Sequence, residues 1–132
     1  MAKLTINRTH PKDPIYIQLF VMNNFKSKGA TVAGLFDTGN DHTMISKALA
    51  DTLALSTSGS SLQVFGPTGA SIAARTLVDI GIEFDGGEKR TITNHEVGVV
   101  EGLSNHALIG RDFLERFDIS ITTDGVFVMT RA

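Results

Sequence analysis

The residues best placed to do chemistry lie in one run, Gly34-Leu35-Phe36-Asp37-Thr38-Gly39-Asn40-Asp41-His42-Thr43-Met44-Ile45-Ser46. An apolar stretch stops at a carboxylate. A hydroxyl, a glycine and further polar residues follow, and the pattern then turns apolar again. Val32, Leu35 and Phe36 read as the end of a buried strand, so Asp37 stands where that strand leaves the core. Gly39 has no Cβ, which lets the backbone turn sharply and approach a ligand. A carboxylate with buried neighbours must be hydrogen-bonded, paired or catalytic, because burying it alone is costly. One catalytic reading is phosphoryl transfer through an aspartyl nucleophile at a strand end. It predicts magnesium dependence and an α/β fold, and the strand-rich pattern of the rest of the chain argues against both.

A second segment, Ala107-Leu108-Ile109-Gly110-Arg111-Asp112-Phe113-Leu114, lies far downstream. Asp37-Thr38-Gly39 after an apolar pair resembles the active-site motif of the aspartic proteases. The run continuing through Ile45 resembles their single-domain, retroviral-type (retropepsin-like) branch. The downstream segment is similar to the apolar-apolar-Gly-Arg stretch that opens the C-terminal helix of those enzymes. The likeness covers most of the chain in order: strand, catalytic turn, flap, late helix.

That resemblance implies an aspartic endopeptidase acting on protein or peptide substrates, with no cofactor and no metal. Two carboxylates would hold one water; the ionised one takes its proton while the protonated one donates to the scissile carbonyl. Asp37 would be the acid/base, Thr38 would bond across a dimer axis, and Gly39 would offer its backbone to substrate. Asp41 would bind substrate main chain and pair with Arg111. The other Asp-Gly pairs, Asp85-Gly86 and Asp124-Gly125, lack the intervening hydroxyl and read as turns. The second carboxylate must then come from a second copy of Asp37, which a two-fold homodimer supplies. Asn40 departs from the family, which usually carries Ala or Ser there; it is expected to narrow the pocket or bond substrate. His42 reads as an exposed loop residue, and His10, His95 and His106 as surface residues without metal spacing.

The elements that must position this site are mostly strands. Lys3 to Arg8 is a first strand with Leu4 and Ile6 inward, broken by Pro11 and Pro14. Ile15 to Met22 alternates, with Ile15, Ile17, Leu19 and Val21 on one face. Ala30 to Phe36 returns from a polar loop to deliver Asp37, making a hairpin. Ser46 to Leu55 changes to helical spacing, with Ser46 as N-cap. Ser56 to Ser61 reads as a Ser/Gly linker.

Leu62 to Ala73 reads as a hairpin turning at Gly66-Pro67-Thr68-Gly69. By the resemblance it is the flap, with Phe65, Gly66 and Gly69 contacting substrate. Arg75 to Phe84 and Lys89 to Val100 are longer strands. Arg111 to Phe117 is a second short helix. Thr123-Asp124-Gly125 turns the last hairpin. By the resemblance, Ile119 to Met129 is the first candidate for the dimer interface and Leu4 to Ile6 the second.

The sum is an all-β, barrel-like domain with two short helices; a chain of 132 residues is one domain with room for a core. A net charge of -2 presents no broad basic field to nucleic acid. No cysteine is present, so disulfides and Cys-metal sites are excluded. The N-terminus lacks the apolar stretch of a signal peptide and no segment approaches a membrane span, so a cytoplasmic location is expected. The alternative function is a catalytically inactive dimerisation or peptide-binding domain of the same fold, for which Asn40 is the sequence support.

Overall fold

Alternation along β2 (Tyr16–Asn23) starts the barrel: Ile15, Ile17, Leu19 and Val21 are buried while Tyr16 and Phe20 stand outside. The computed structural model describes residues 2–23, 25, 28–66, 69–103 and 105–131, with backbone alone for 58–72 and 131. β3 (Gly29–Phe36) pairs antiparallel with β2 from Tyr16↔Leu35 to Met22↔Gly29, giving the expected hairpin. β3 then pairs in parallel with the short β8 (Ala107–Ile109), β8 with β4 (Met44–Ser46), and β4 in parallel with β7 (Lys89–Val100). β7 pairs with the long β6 (Gly69–Glu83), and β6 pairs back onto β2 from Phe20↔Gly81 to Asn23↔Val78. The ring β2-β3-β8-β4-β7-β6 is thus a closed six-stranded barrel. Closure removes the free edges that an open sheet would present.

β5 (Ser58–Gly66) lies outside the ring as a hairpin with the first half of β6, from Leu62↔Ala73 to Gly66↔Gly69. Two expectations change here. The stretch 58–61 is strand rather than linker, pairing Ser58↔Arg75 and Ser61↔Ala74 across an irregular register. The flap strand and the barrel strand are also one continuous β6, so the hairpin arm is rooted directly in the barrel wall. Thr68 and Pro67, the expected turn, lie outside the described residues.

The helices are short. α1 (Lys47–Thr52) starts at Ser46, whose hydroxyl accepts from the Leu49 amide at 3.0 Å, as an N-cap should. α2 (Arg111–Leu114) is a single turn and ends three residues earlier than the sequence suggests. Phe117, expected at its end, instead opens β9 (Phe117–Ile121) and is buried against Phe113, ring centroids 5.4 Å apart. β1 (Lys3–Asn7), β10 (Val126–Arg131) and β9 form a second sheet in the order β1-β10-β9. β10 is its central strand and sends Phe127 and Met129, both fully buried, into the core; Phe127 meets Phe36 edge-on at 5.2 Å. β1 and β9 are the two edge strands of this sheet, and β9 leaves Ile121 half exposed.

One irregularity in the β6–β7 ladder reaches the site. Val78 faces His95 but Ile80 faces Ile92, so β7 carries one extra residue opposite Asp79. Asn94 takes φ 52, and its amide donates to the buried Asp79 carboxylate at 2.9 Å. A bulge of one residue reverses which side chains point inward beyond it. Ile92 is buried before the bulge; His95, Val97 and Val99 are buried after it.

Candidate active site

β3 carries its apolar residues to the mouth of the barrel and stops at Phe36, paired with Ile109. The close β3–β8 approach needs Gly34, because a Cβ there would lie 2.8 Å from Ile109 Cδ1. The ladder runs one bond further, the Asp37 amide donating to the Ile109 carbonyl at 3.0 Å. The chain then turns on the Asp37 side chain itself. The Gly39 amide donates to Asp37 Oδ1 at 3.0 Å, and the Asn40 amide donates to the Asp37 carbonyl at 3.3 Å. An Asp side chain bonding the backbone two residues on is a common way to fix such a turn. Asp37 is half-buried, while Thr38 and Gly39 are exposed at the tip.

Asn40 is buried, with 7 % of its surface exposed, and its Nδ2 donates to Asp37 Oδ2 at 2.6 Å. The amide nitrogen is the donor of this bond and the carboxyl oxygen the acceptor. Its side chain therefore points at the Asp37 carboxylate and not outward.

α2 holds the far side of the turn. The Arg111 amide donates to the Asn40 carbonyl at 2.9 Å and the Asp112 amide to the Asp41 carbonyl at 3.1 Å. The Arg111 guanidinium pairs with the Asp41 carboxylate, but these side chains are 56 % and 55 % exposed. An ion pair that open to water is worth under about 1 kcal/mol. The packing of the segment rests instead on Gly110, where a Cβ would lie 2.4 Å from the carbonyl carbon of His42.

Beneath the turn lies a polar cluster that the motif does not advertise. Asp112 Oδ1 accepts from the Thr43 amide at 2.9 Å, the Thr43 hydroxyl at 2.8 Å and the Phe113 amide at 2.8 Å. Thr43 Oγ1 in turn accepts from the Gly110 amide at 3.1 Å. His95 Nε2 reaches Asp112 Oδ2 at 3.0 Å, and its ring stands edge-on to Phe113. Burial pushes the Asp112 carboxyl up, but the hydrogen bonds from His95 and Thr43, with the nearby His95 charge, outweigh it and hold the carboxyl below its usual range. His95 is 6 % exposed, so the expectation of a surface histidine fails. The cause is the Asn94 bulge, which turns it inward. His10 and His106 are exposed and His42 is half-buried.

The structure thus brings Asp37, Gly39 and Asn40 together in one bonded turn and joins Asp41 to Arg111 beside it. Phe65, Gly66 and Gly69 form the end of the β5–β6 hairpin, with Phe65 paired to Ala70. No hydrogen bond among the described residues joins that hairpin end to the turn. Sequence reasoning missed Thr43, His95 and Asp112. Asp112 and Thr43 were in view within the two motifs, but nothing in a sequence places one against the other. Two grooves of the chain lie elsewhere. One lies between β1 and the barrel wall at Leu4, Phe20 and Arg90, the other at Phe25, Leu55 and Arg75; Asp37 lines neither. No helix among the described residues is long and apolar enough to cross a membrane.

Comparison with known proteins bears on the family and the fold. A family model described as aspartyl protease matches residues 24–113, which includes the whole turn and the Gly110-Arg111-Asp112 segment. No curated protein matches the chain. Among solved structures, a retropepsin-like aspartic protease from Rickettsia conorii superposes with a TM-score of 0.65 at 22 % identity, over 96 % of this chain and 89 % of that one. At that identity the likeness is one of fold, and it makes the closed barrel with its two short helices retropepsin-like. With a family model matched over more than half its length, the chain belongs to the aspartyl protease family.

Proposed function

We propose that the protein is an aspartic endopeptidase whose active site forms from the Asp37 residues of two copies in a homodimer. The observation that carries this reading is the Asp37-Thr38-Gly39 turn. It sets one half-buried carboxylate at a strand end, with the hydroxyl and glycine beside it exposed. One carboxylate cannot be both general base and general acid at once, and the other carboxylate of the turn, Asp41, is already paired with Arg111. A two-fold axis beside Thr38 would set a second Asp37 against the first, so that the pair shares a single proton. Water held between them would lose its proton to the ionised carboxylate as it attacks the scissile carbonyl, and the protonated partner would donate to the carbonyl oxygen. Gly39, Asp41 and the β5–β6 hairpin end at Phe65, Gly66 and Gly69 would hold the peptide. The open edge of β9 is available for pairing with another copy.

The test is hydrolysis of an unfolded protein substrate by wild type and by Asp37→Asn. The reading expects cleavage that the substitution abolishes while the oligomeric state is retained. Equal cleavage by both proteins would refute it. A second reading, a non-catalytic dimerisation or peptide-binding domain, draws on the Asn40 amide already occupying Asp37 Oδ2. It expects peptide binding without cleavage by the wild type.

A further inference from the structure

We propose that Asn40 is a positioning residue of the acid/base, holding the Asp37 carboxylate in its working orientation rather than reading the substrate. This rests on the aspartic protease reading above. A carboxylate at the end of a strand turns freely about its last bond unless both oxygens are engaged. Here Oδ1 accepts from the Gly39 amide at 3.0 Å and Oδ2 from Asn40 Nδ2 at 2.6 Å. The second donor is itself fixed. Asn40 is 7 % exposed, its backbone amide bonds the Asp37 carbonyl, and its own carbonyl accepts the Arg111 amide at 2.9 Å. The clamp is thus anchored at both ends, to the turn and to α2. Each oxygen keeps lone pairs for a water or a second carboxyl, so the clamp does not block the acid–base step.

The titratable and charged groups nearest the turn among the described residues include Asp41 and His42 on the turn, Arg111 and Asp112 on α2, and His95 on β7. Asp41 is paired with Arg111 and Asp112 with His95. None of these five is hydrogen-bonded to Asp37 among the described residues, so the clamp is Asn40's alone apart from the Gly39 amide.

Two substitutions separate positioning from substrate recognition and from simple packing. Asn40→Ala frees Oδ2. A misplaced catalytic group costs up to about 100-fold in rate, so kcat should fall by about 10- to 100-fold while KM stays within about three-fold. Asn40→Asp keeps the shape but sets two carboxyls in contact. They repel unless one is protonated, and the protonated variant carboxyl can then donate in place of the amide. Its activity should vanish at neutral pH and return in acid, giving a pH profile displaced to the acid side of wild type. As a readout independent of activity, one Asn40 side-chain amide proton, followed by nuclear magnetic resonance, should lose its hydrogen-bonded shift in Asp37→Ala.

The proposal is overturned by a kcat for Asn40→Ala equal to or above wild type, or by a loss confined to KM. It is equally overturned if Asn40→Asp matches Asn40→Ala at every pH, or if the Asn40 amide shifts ignore Asp37→Ala. An active wild type with any of these results refutes this proposal alone, whereas a dimeric wild type that cleaves nothing refutes the protease reading and this proposal with it.

Discussion

Arg111 and Asp112 are neighbours in sequence, yet their loss should differ severalfold in cost. Asp112→Ala removes an acceptor that serves the Thr43 amide, the Thr43 hydroxyl, the Phe113 amide and His95. A hydrogen bond to a charged group contributes about 1.5–3 kcal/mol. The bonds share one carboxylate, so they do not add. The Asp112 side chain is 24 % exposed, so water replaces part of what is lost. The expected cost is about 2–4 kcal/mol, that of removing one charged acceptor and leaving its donors unpaired. That is a large fraction of the ~5–15 kcal/mol holding a typical domain.

Arg111→Lys, by contrast, alters a pair more than half exposed on both sides and should cost under about 1 kcal/mol. Urea unfolding at neutral pH, followed by circular dichroism, gives both numbers if the slope with denaturant is unchanged. The pH dependence supplies a second check. Folding lowers the Asp112 carboxyl below its ordinary 3.8, so its stabilisation is whole above that pH and fades as the pH falls beneath it. The gap between wild type and Asp112→Asn should therefore narrow in acid below that point. A cost for Asp112→Ala under about 1 kcal/mol, or one equal to that of Arg111→Lys, would refute the view that the buried cluster and not the ion pair holds the turn to α2.

Gly110→Ala places a Cβ against the His42 backbone, which cannot yield as a side-chain tip can. It should lower stability by about 1–3 kcal/mol, and an unchanged melting temperature would contradict this. Asp79→Ala removes the acceptor for the Asn94 amide at the bulge, and should weaken the His95–Asp112 bond from a distance. A shift of the His95 ring resonances is the readout, and their constancy would show that the bulge holds itself. Specific activity should fall on dilution if each site needs two chains; activity proportional to concentration, with the protein sedimenting as a monomer, would refute the shared site. Removing 126–132 should unfold the chain rather than only part a dimer, because β10 is the central strand of its sheet and Phe127 and Met129 fill the core. A folded monomer after this truncation would overturn that assignment.

Local chemistry made much of this protein legible in its sequence. Period-two alternation in 15–21 predicts the buried face of β2, because successive side chains in a strand point to opposite sides. Ser46 before a helical repeat predicts its cap, and Asp37-Thr38-Gly39 after an apolar pair predicts a strand ending in a carboxylate turn. These signals depend on residues within a few positions of one another.

What only the tertiary structure decided depends on contacts made across the chain. The β3–β8 and β8–β4 pairings bring residues 34–46 against 107–112, and no periodicity encodes which strands meet. The Asn94 bulge inverts the pattern of β7 and turns His95 inward, because one extra residue exchanges the two faces of a strand. The exposure of the Asp41–Arg111 pair, which sets its small energetic weight, is a property of the folded surface. Asn40 shows the same division: its place three residues after Asp37 is written in the chain, but its burial and the direction of its amide, onto the carboxylate, are properties of the fold.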